Sequence, residues 1–201
     1  MIYKIIIAST NKDKIKEISK IFNSLKNLKI EINSLQDSNI PEPKEPHDSF
    51  LMNAIHKAKY YAQHTKNACL SEDSGLSIEA LNGFPGIKSK DLIEEEGGTL
   101  KTFIKLKKML SNYNNYSAYF SSAAVLYIPA YDFLIMHEAK NYGYISFPPR
   151  GNTGFGYDPI FIPNGYNRTF AELGTDIKNK ISHRNKSIIG LTEKLEKFLN
   201  Q

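Results

Sequence analysis

In the stretch LSEDSGLSIEALNGFPGIKS, residues 70–89, two carboxylates, Glu72 and Asp73, stand side by side at the end of an apolar run that reads as a buried strand. Like charges at close quarters disfavour each other's ionised form, so the pair needs a cation, either a bound metal or a nearby lysine. If the strand persists through both acids, their side chains point to opposite faces, and one would be a ligand while the other is structural. Glu42, in the proline-rich segment NIPEPKEPHD (39–48), offers a further carboxylate. With one of the two acids it would make a hard-cation site whose oxygen ligands and retained waters suit Mg²⁺. The plain alternative is a pair of surface carboxylates, and the Ser74-Gly75 that follows weighs against it by inviting close backbone approach.

Three other stretches could carry chemistry. STNKDK, Ser9 to Lys14, has Asn11 as a good helix N-cap, with backbone N–H groups behind it open to an anion at the positive end of the helix dipole. Lys12 and Lys14 stand in that first turn, where positive charge opposes the dipole, as if a phosphate were awaited. The glycines of a Walker loop are absent. In SFLMNAIHKAKYYA, Phe50, Ala54, Lys57 and Tyr61 share one helical stripe. An inward lysine is costly unless its ammonium meets an anion, the alternative being a snorkelling stem. In the last third, GNTGFGYDPIF sets glycines around Phe155, leaving an aromatic face on flexible backbone as base stacking requires. KNKISHR then supplies Lys178, Lys180, His183 and Arg184. Arg184 is in phase with Ile188, Leu191 and Leu195, so its fork of donors should aim inward, towards phosphate or a purine carbonyl.

These residues must be positioned by alternating strands and helices. Ile2–Ala8 reads as a strand covered on both faces. Ile15 to Leu28 repeats at helical spacing, and 28–32 alternates as a second strand. Helices are predicted near 50–64, 99–110 and 182–199, with two long strands, 118–128 and 133–145, joined by PAYD as a hairpin. The class is α/β, and 201 residues fit one domain covering the whole chain. A net charge of +5 suits a polyanionic partner but is modest. Cys69 is the single cysteine, which excludes an intrachain disulfide and makes a reducing compartment, the cytoplasm, the default. The N-terminal apolar run is too short for a secretory signal, and nothing approaches a membrane span.

STNKDKIKE, DSFLMNAIHKA, SEDSGLSIEALNGFPG, GNTGFGYDPIF and TFAELGTDIKNKISHR occur in the order found in the inosine triphosphate pyrophosphatase family, which the chain resembles over nearly its whole length. The resemblance implies an elongated mixed β-sheet with flanking helices, two lobes around a central substrate cleft, and a homodimer. It implies hydrolysis of ITP, dITP and XTP to monophosphate and pyrophosphate, cleansing the nucleotide pool. By position, Ser9, Thr10, Asn11, Lys12, Asp13 and Lys14 resemble the triphosphate turn. Asp73 matches the general base and magnesium ligand, Glu42 the second metal carboxylate, and Ser74 a substrate contact. Lys57 matches the lysine of the N-A-x-x-K-A helix. Phe155, Gly156, Tyr157 and Asp158 resemble the base-binding F-G-Y-D, and Lys178, His183 and Arg184 match further base and phosphate contacts.

The chain departs from the family pattern where Met52 replaces the glutamate of F-x-E-N-A, and where Ser89-Lys90-Asp91-Leu92 replaces S-A-R-Y. Lys90 then stands in for an arginine with less bidentate capacity. Two other functions merit comparison. A basic chain with exposed aromatics could be an RNA- or single-strand-binding module, stacking bases on Phe155 and Tyr157. A related nucleotide pyrophosphatase acting on other modified nucleotides would keep the fold, and the SHR helix argues against it.

Overall fold

A computed structural model describes residues 4–24, 30–35 and 39–200. The strands are β1 (Lys4–Ile7), β2 (Glu31–Ser34), β3 (Ala68–Ile78), β4 (Ser117–Ile128), β5 (Phe133–Ile145) and β6 (Phe161–Pro163). The helices are α1 (Lys12–Ser24), α2 (Phe50–Thr65), α3 (Ser89–Glu95), α4 (Thr99–Met109), α5 (Phe170–Leu173), α6 (Thr175–Ile181) and α7 (His183–Leu199). The strands form one mixed sheet in the order β2-β1-β3-β4-β5-β6, parallel where β1 meets β2 and β3 and antiparallel where β5 meets β6. This is the α/β class expected. Among the described residues no helix is long and apolar enough to cross a membrane.

Two sequence expectations shift. The strand expected at 28–32 appears as Glu31–Ser34, with residues 28 and 29 outside the described ones, as are Ile2 and Leu25. More consequentially, β3 does not end at the acid pair but runs on to Ile78. The alternation of Leu76 and Ile78, both fully buried, with Ser77 keeps the strand going. Glu72 and Asp73 therefore lie mid-strand.

The chain forms two compact units, one from residues 1–73, 122–139 and 184–201, the other from 74–121 and 140–183. In the first, odd residues of β1 (Ile5, Ile7) and Leu70 of β3 pack with Ile15, Ile18 and Phe22 of α1 and Ile188, Leu191 and Leu195 of α7. Ile6, Ala8 and Cys69 pack instead with Tyr61 and Ala62 of α2. Side-chain alternation therefore assigns α1 and α7 to one face of the strands and α2 to the other. Each fully buried aliphatic side chain here contributes about 1.5–3 kcal/mol. In the second unit Leu76, Phe103, Leu106, Phe120, Phe161 and Phe170 form the core.

Candidate active site

The face rule carries from the core to the acids. Glu72, in phase with Leu70, faces α1 and α7, and Asp73, in phase with Cys69, faces α2. On the α2 side Lys57 Nζ donates to Asp73 Oδ1 at 3.2 Å, to Glu45 Oε1 at 2.7 Å and to the Glu72 carbonyl at 3.5 Å. Lys57 is buried on the helical stripe that its spacing implied, and its ammonium meets two carboxylates there. Burial pulls the Lys57 pKa down, but Asp73 and Glu45 more than offset this and hold it above its ordinary value. Asp73 is raised as well, because burial outweighs the opposing pull of Lys57 and Lys14.

On the α1–α7 side, Glu72 has no side-chain exposure, and its Oε2 lies 3.1 Å from Lys14 Nζ and 3.3 Å from Arg184 Nε. Arg184 Nη1 also donates to Glu17 Oε2. Burial disfavours the guanidinium, yet Glu72 and Glu17 raise its pKa on balance. The cation that the acid pair required is thus protein-supplied on both faces.

Arg184 was expected to aim a fork of donors at phosphate or a purine carbonyl. It does aim inward, and at 2% exposure its Nη1 and Nε meet the Glu17 and Glu72 carboxylates. The reason is the α7 stripe itself, which takes Arg184 into the same interior as Ile188, Leu191 and Leu195.

The turn before α1 is capped by Asn11, whose Oδ1 accepts the Asp13 and Lys14 N–H groups at 3.0 and 3.1 Å. Two of the N–H groups expected to await an anion are therefore already occupied. Ser9 Oγ accepts the Asn11 N–H at 3.2 Å, while Thr10, Asn11, Lys12 and Asp13 are exposed. Thr10 Oγ1 donates to Glu42 Oε2 at 3.0 Å. Glu42 is thereby tied to the turn, and it is Glu45 that shares Lys57 with Asp73. Met52 is 46% exposed on α2, so its replacement of a glutamate leaves no gap in the packing.

In the second unit Asp158 organises the glycine-rich turn. Its Oδ2 accepts the Phe155 N–H at 2.8 Å and the Lys178 ammonium at 2.6 Å, and Lys178 Nζ sits 4.4 Å from the centre of the Phe155 ring. A Cβ on Gly154 would come 2.1 Å from that same Oδ2, and φ there is +75°, so the tight carboxylate contact requires glycine. Gly156 is likewise left-handed, at φ +59°. Phe155 remains half-buried. Tyr157 does not offer a stacking face: it is 4% exposed, and its hydroxyl donates to the Ser89 carbonyl at 2.8 Å. His183 is buried and stacks on Phe120 at 4.5 Å. Ser74 is half-buried in β3, and Lys90 is exposed in the first turn of α3.

Glu17, Glu45, Ser122 and Ser187 were missed from sequence. Ser122 Oγ donates to Glu72 Oε1 at 2.7 Å and lies 2.7 Å from Ser187 Oγ. Glu17 follows Lys14 by three residues on α1, a spacing that places it on the buried stripe, and that signal was available.

The sequence profile of the Ham1 family matches residues 5–194. A dITP/XTP pyrophosphatase from Aquifex aeolicus is 38% identical over 96% of this chain and 96% of its own. Among solved structures, a HAM1 protein from Coxiella burnetii superposes with a TM-score of 0.87 at 32% identity, covering 98% of this chain and 100% of that one. A nucleoside-triphosphatase / dITP/XTP pyrophosphatase from Mycobacterium abscessus gives 0.73 at 37% identity, covering 94% and 98%.

Proposed function

The chain belongs to the Ham1 family, and from that premise we propose that it hydrolyses deaminated purine nucleoside triphosphates, ITP, dITP and XTP, to the monophosphate and pyrophosphate. The observation that carries the reading is its near full-length similarity to a protein named dITP/XTP pyrophosphatase. A single-strand-binding module is disfavoured, because the buried Tyr157 removes half of the stacking pair that it would use.

In this reading Asp73 is the general base. Lys57 holds its Oδ1, which leaves Oδ2 to take a proton from water attacking the α-phosphorus, and a carboxyl raised by burial is the better acceptor. Lys14 reaches the triphosphate. Lys57 keeps the cluster from accumulating negative charge as phosphate arrives. Catalysis is mainly positioning and charge neutralisation.

Mg²⁺ fits the donor set of hard carboxylate oxygens. Among the described residues no group of three or more His, Cys, Asp or Glu side chains could hold a metal alone, so substrate phosphates and water must complete the shell. Asp73 and Glu42 would hold the ion, and Glu45, which shares Lys57 with Asp73, is a further carboxylate at hand. When bound, it supplies charge neutralisation at the phosphates.

The base would meet Phe155 and the backbone N–H groups around it, where a 6-oxo purine offers an acceptor at position 6 and adenine an amino donor. A cytoplasmic, homodimeric enzyme completes the proposal, on the strength of the family resemblance and the single cysteine.

The test is pyrophosphate release from ITP, dITP, XTP, GTP and ATP, with Mg²⁺ and with chelator. The expected outcome is metal-dependent release from ITP, dITP and XTP well above ATP. Release of orthophosphate instead, or equal rates on ATP, would overturn the assignment, and full activity in chelator would remove the metal from it.

A further inference from the structure

Glu72 and Asp73 are neighbours in sequence but serve opposite faces of β3, and only Asp73 has its side chain on Lys57. The Glu72 carboxylate is held from two sides. Ser122 Oγ, on β4, donates to Oε1, while Lys14 and Arg184 lie at Oε2. An ionised carboxylate only accepts, so the single Ser122 proton goes to Glu72. Ser187, on α7, then has one proton for two acceptors, Ser122 Oγ at 2.7 Å and the Arg184 carbonyl at 3.0 Å, and it supports Ser122 when that proton lies on the shorter contact. Both hydroxyls are buried, at 1% and 0% exposure.

The two cations at Oε2 are not equivalent. The Arg184 side chain is 2% exposed and the Lys14 side chain 16%. Lys14 can therefore present N–H groups to an arriving anion while Arg184 stays inside.

We propose that Ser122 and Ser187 are positioning residues, a hydroxyl relay that fixes the Glu72 carboxylate and, through it, sets Lys14 as a phosphate contact. The relay rests on reading Lys14 as a ligand of the triphosphate. Without the Ser122 hydroxyl, Glu72 Oε1 loses that donor, the carboxylate is less firmly fixed, and Lys14 is less firmly anchored. Asp73 and Lys57, on the other face, keep their contact.

The probe is inorganic tripolyphosphate, its binding to the full chain measured by calorimetry alongside nucleotide kinetics. Ser122→Ala is expected to weaken tripolyphosphate about tenfold and raise KM by a similar factor, the scale of a lost hydrogen bond to a charged group. The kcat should stay within about twofold, the split that separates lost binding from lost chemistry. Ser187→Ala should act in the same direction and less strongly, and it serves alone if Ser122→Ala does not fold. Ser122→Thr keeps the hydroxyl and should restore binding. Tripolyphosphate affinity that is unchanged despite a lowered Tm makes the serines merely structural and overturns the relay. A fall in kcat at constant KM does so too, as does a wild type that does not bind tripolyphosphate. A wild type that binds tripolyphosphate yet hydrolyses no nucleotide would remove the enzymatic assignment and leave the relay to be judged on binding.

Discussion

Lys57 in the first unit and Lys178 in the second are both buried, at 6% and 2% exposure, yet their anions are arranged differently. Lys57 is spread over Asp73, Glu45 and a main-chain carbonyl, with its Asp73 contact at 3.2 Å. Lys178 is drawn to 2.6 Å from Asp158, whose same oxygen also accepts the Phe155 N–H. Burial, only partly offset by a shared cation, leaves Asp73 with an upward-shifted carboxyl and an oxygen that Lys57 does not hold. A tightly held cation makes Asp158 the keystone of a turn. One arrangement suits a reacting group and the other a shape to be recognised, although both look like buried lysine–aspartate pairs.

The contrast can be broken most severely at its reactive end. Asp73→Asn is expected to keep the fold and nucleotide binding while turnover falls about 10²–10⁴-fold, the usual worth of a positioned base. Steady-state kinetics with a binding isotherm checks this, and substantial residual turnover would give the base role to another group. Glu72→Gln should cost turnover far less, because its carboxylate lies on the other face of β3.

Next in size is an effect on stability. Arg184→Ala leaves Glu17 and Glu72 without their shared guanidinium in the interior, and breaking such a buried pair costs about 3–5 kcal/mol. Denaturant unfolding should show a loss of that size. A variant of wild-type stability whose ITP-over-ATP preference alone changed would make Arg184 a base contact, as its family position implies, and not a structural ion pair.

A smaller effect is on pH dependence. Lys57 lowers the Asp73 pKa against the dominant upward push of burial. Removing the ammonium in Lys57→Met should raise Asp73 further, so the acid limb of the kcat profile moves to higher pH. A limb that stays in place or moves down would show that Lys57 does not set the charge of the base.

The contrast also explains what was legible in sequence. Helical phase took Lys57 and Arg184 inward because the apolar neighbours on their stripes demanded it, and strand alternation separated Glu72 from Asp73. The partners were not legible. Glu42 and Glu45 stand in one proline-rich loop with equal claims by composition, and only the fold decides that Glu45 meets Lys57. Ser122 lies 50 residues from Glu72 and Ser187 lies 65 from Ser122, so no local pattern could join them. The strand was expected to stop at the acids because paired charges resemble a surface. It continues because Lys14, Lys57 and Arg184 supply the cations that make those charges tolerable inside.

The division of labour between the two regions is tested most directly by one ratio, kcat/KM for ITP over that for ATP, measured in Lys14→Ala and Phe155→Ala. Lys14 would touch phosphates common to both nucleotides, so Lys14→Ala should lower both values and leave the ratio at its wild-type level. Phe155→Ala should narrow the ratio, because it disturbs the turn whose N–H groups would read the 6-oxo edge. A ratio that narrows equally in both variants, or only in Lys14→Ala, would contradict the assignment of phosphate to one region and base to the other.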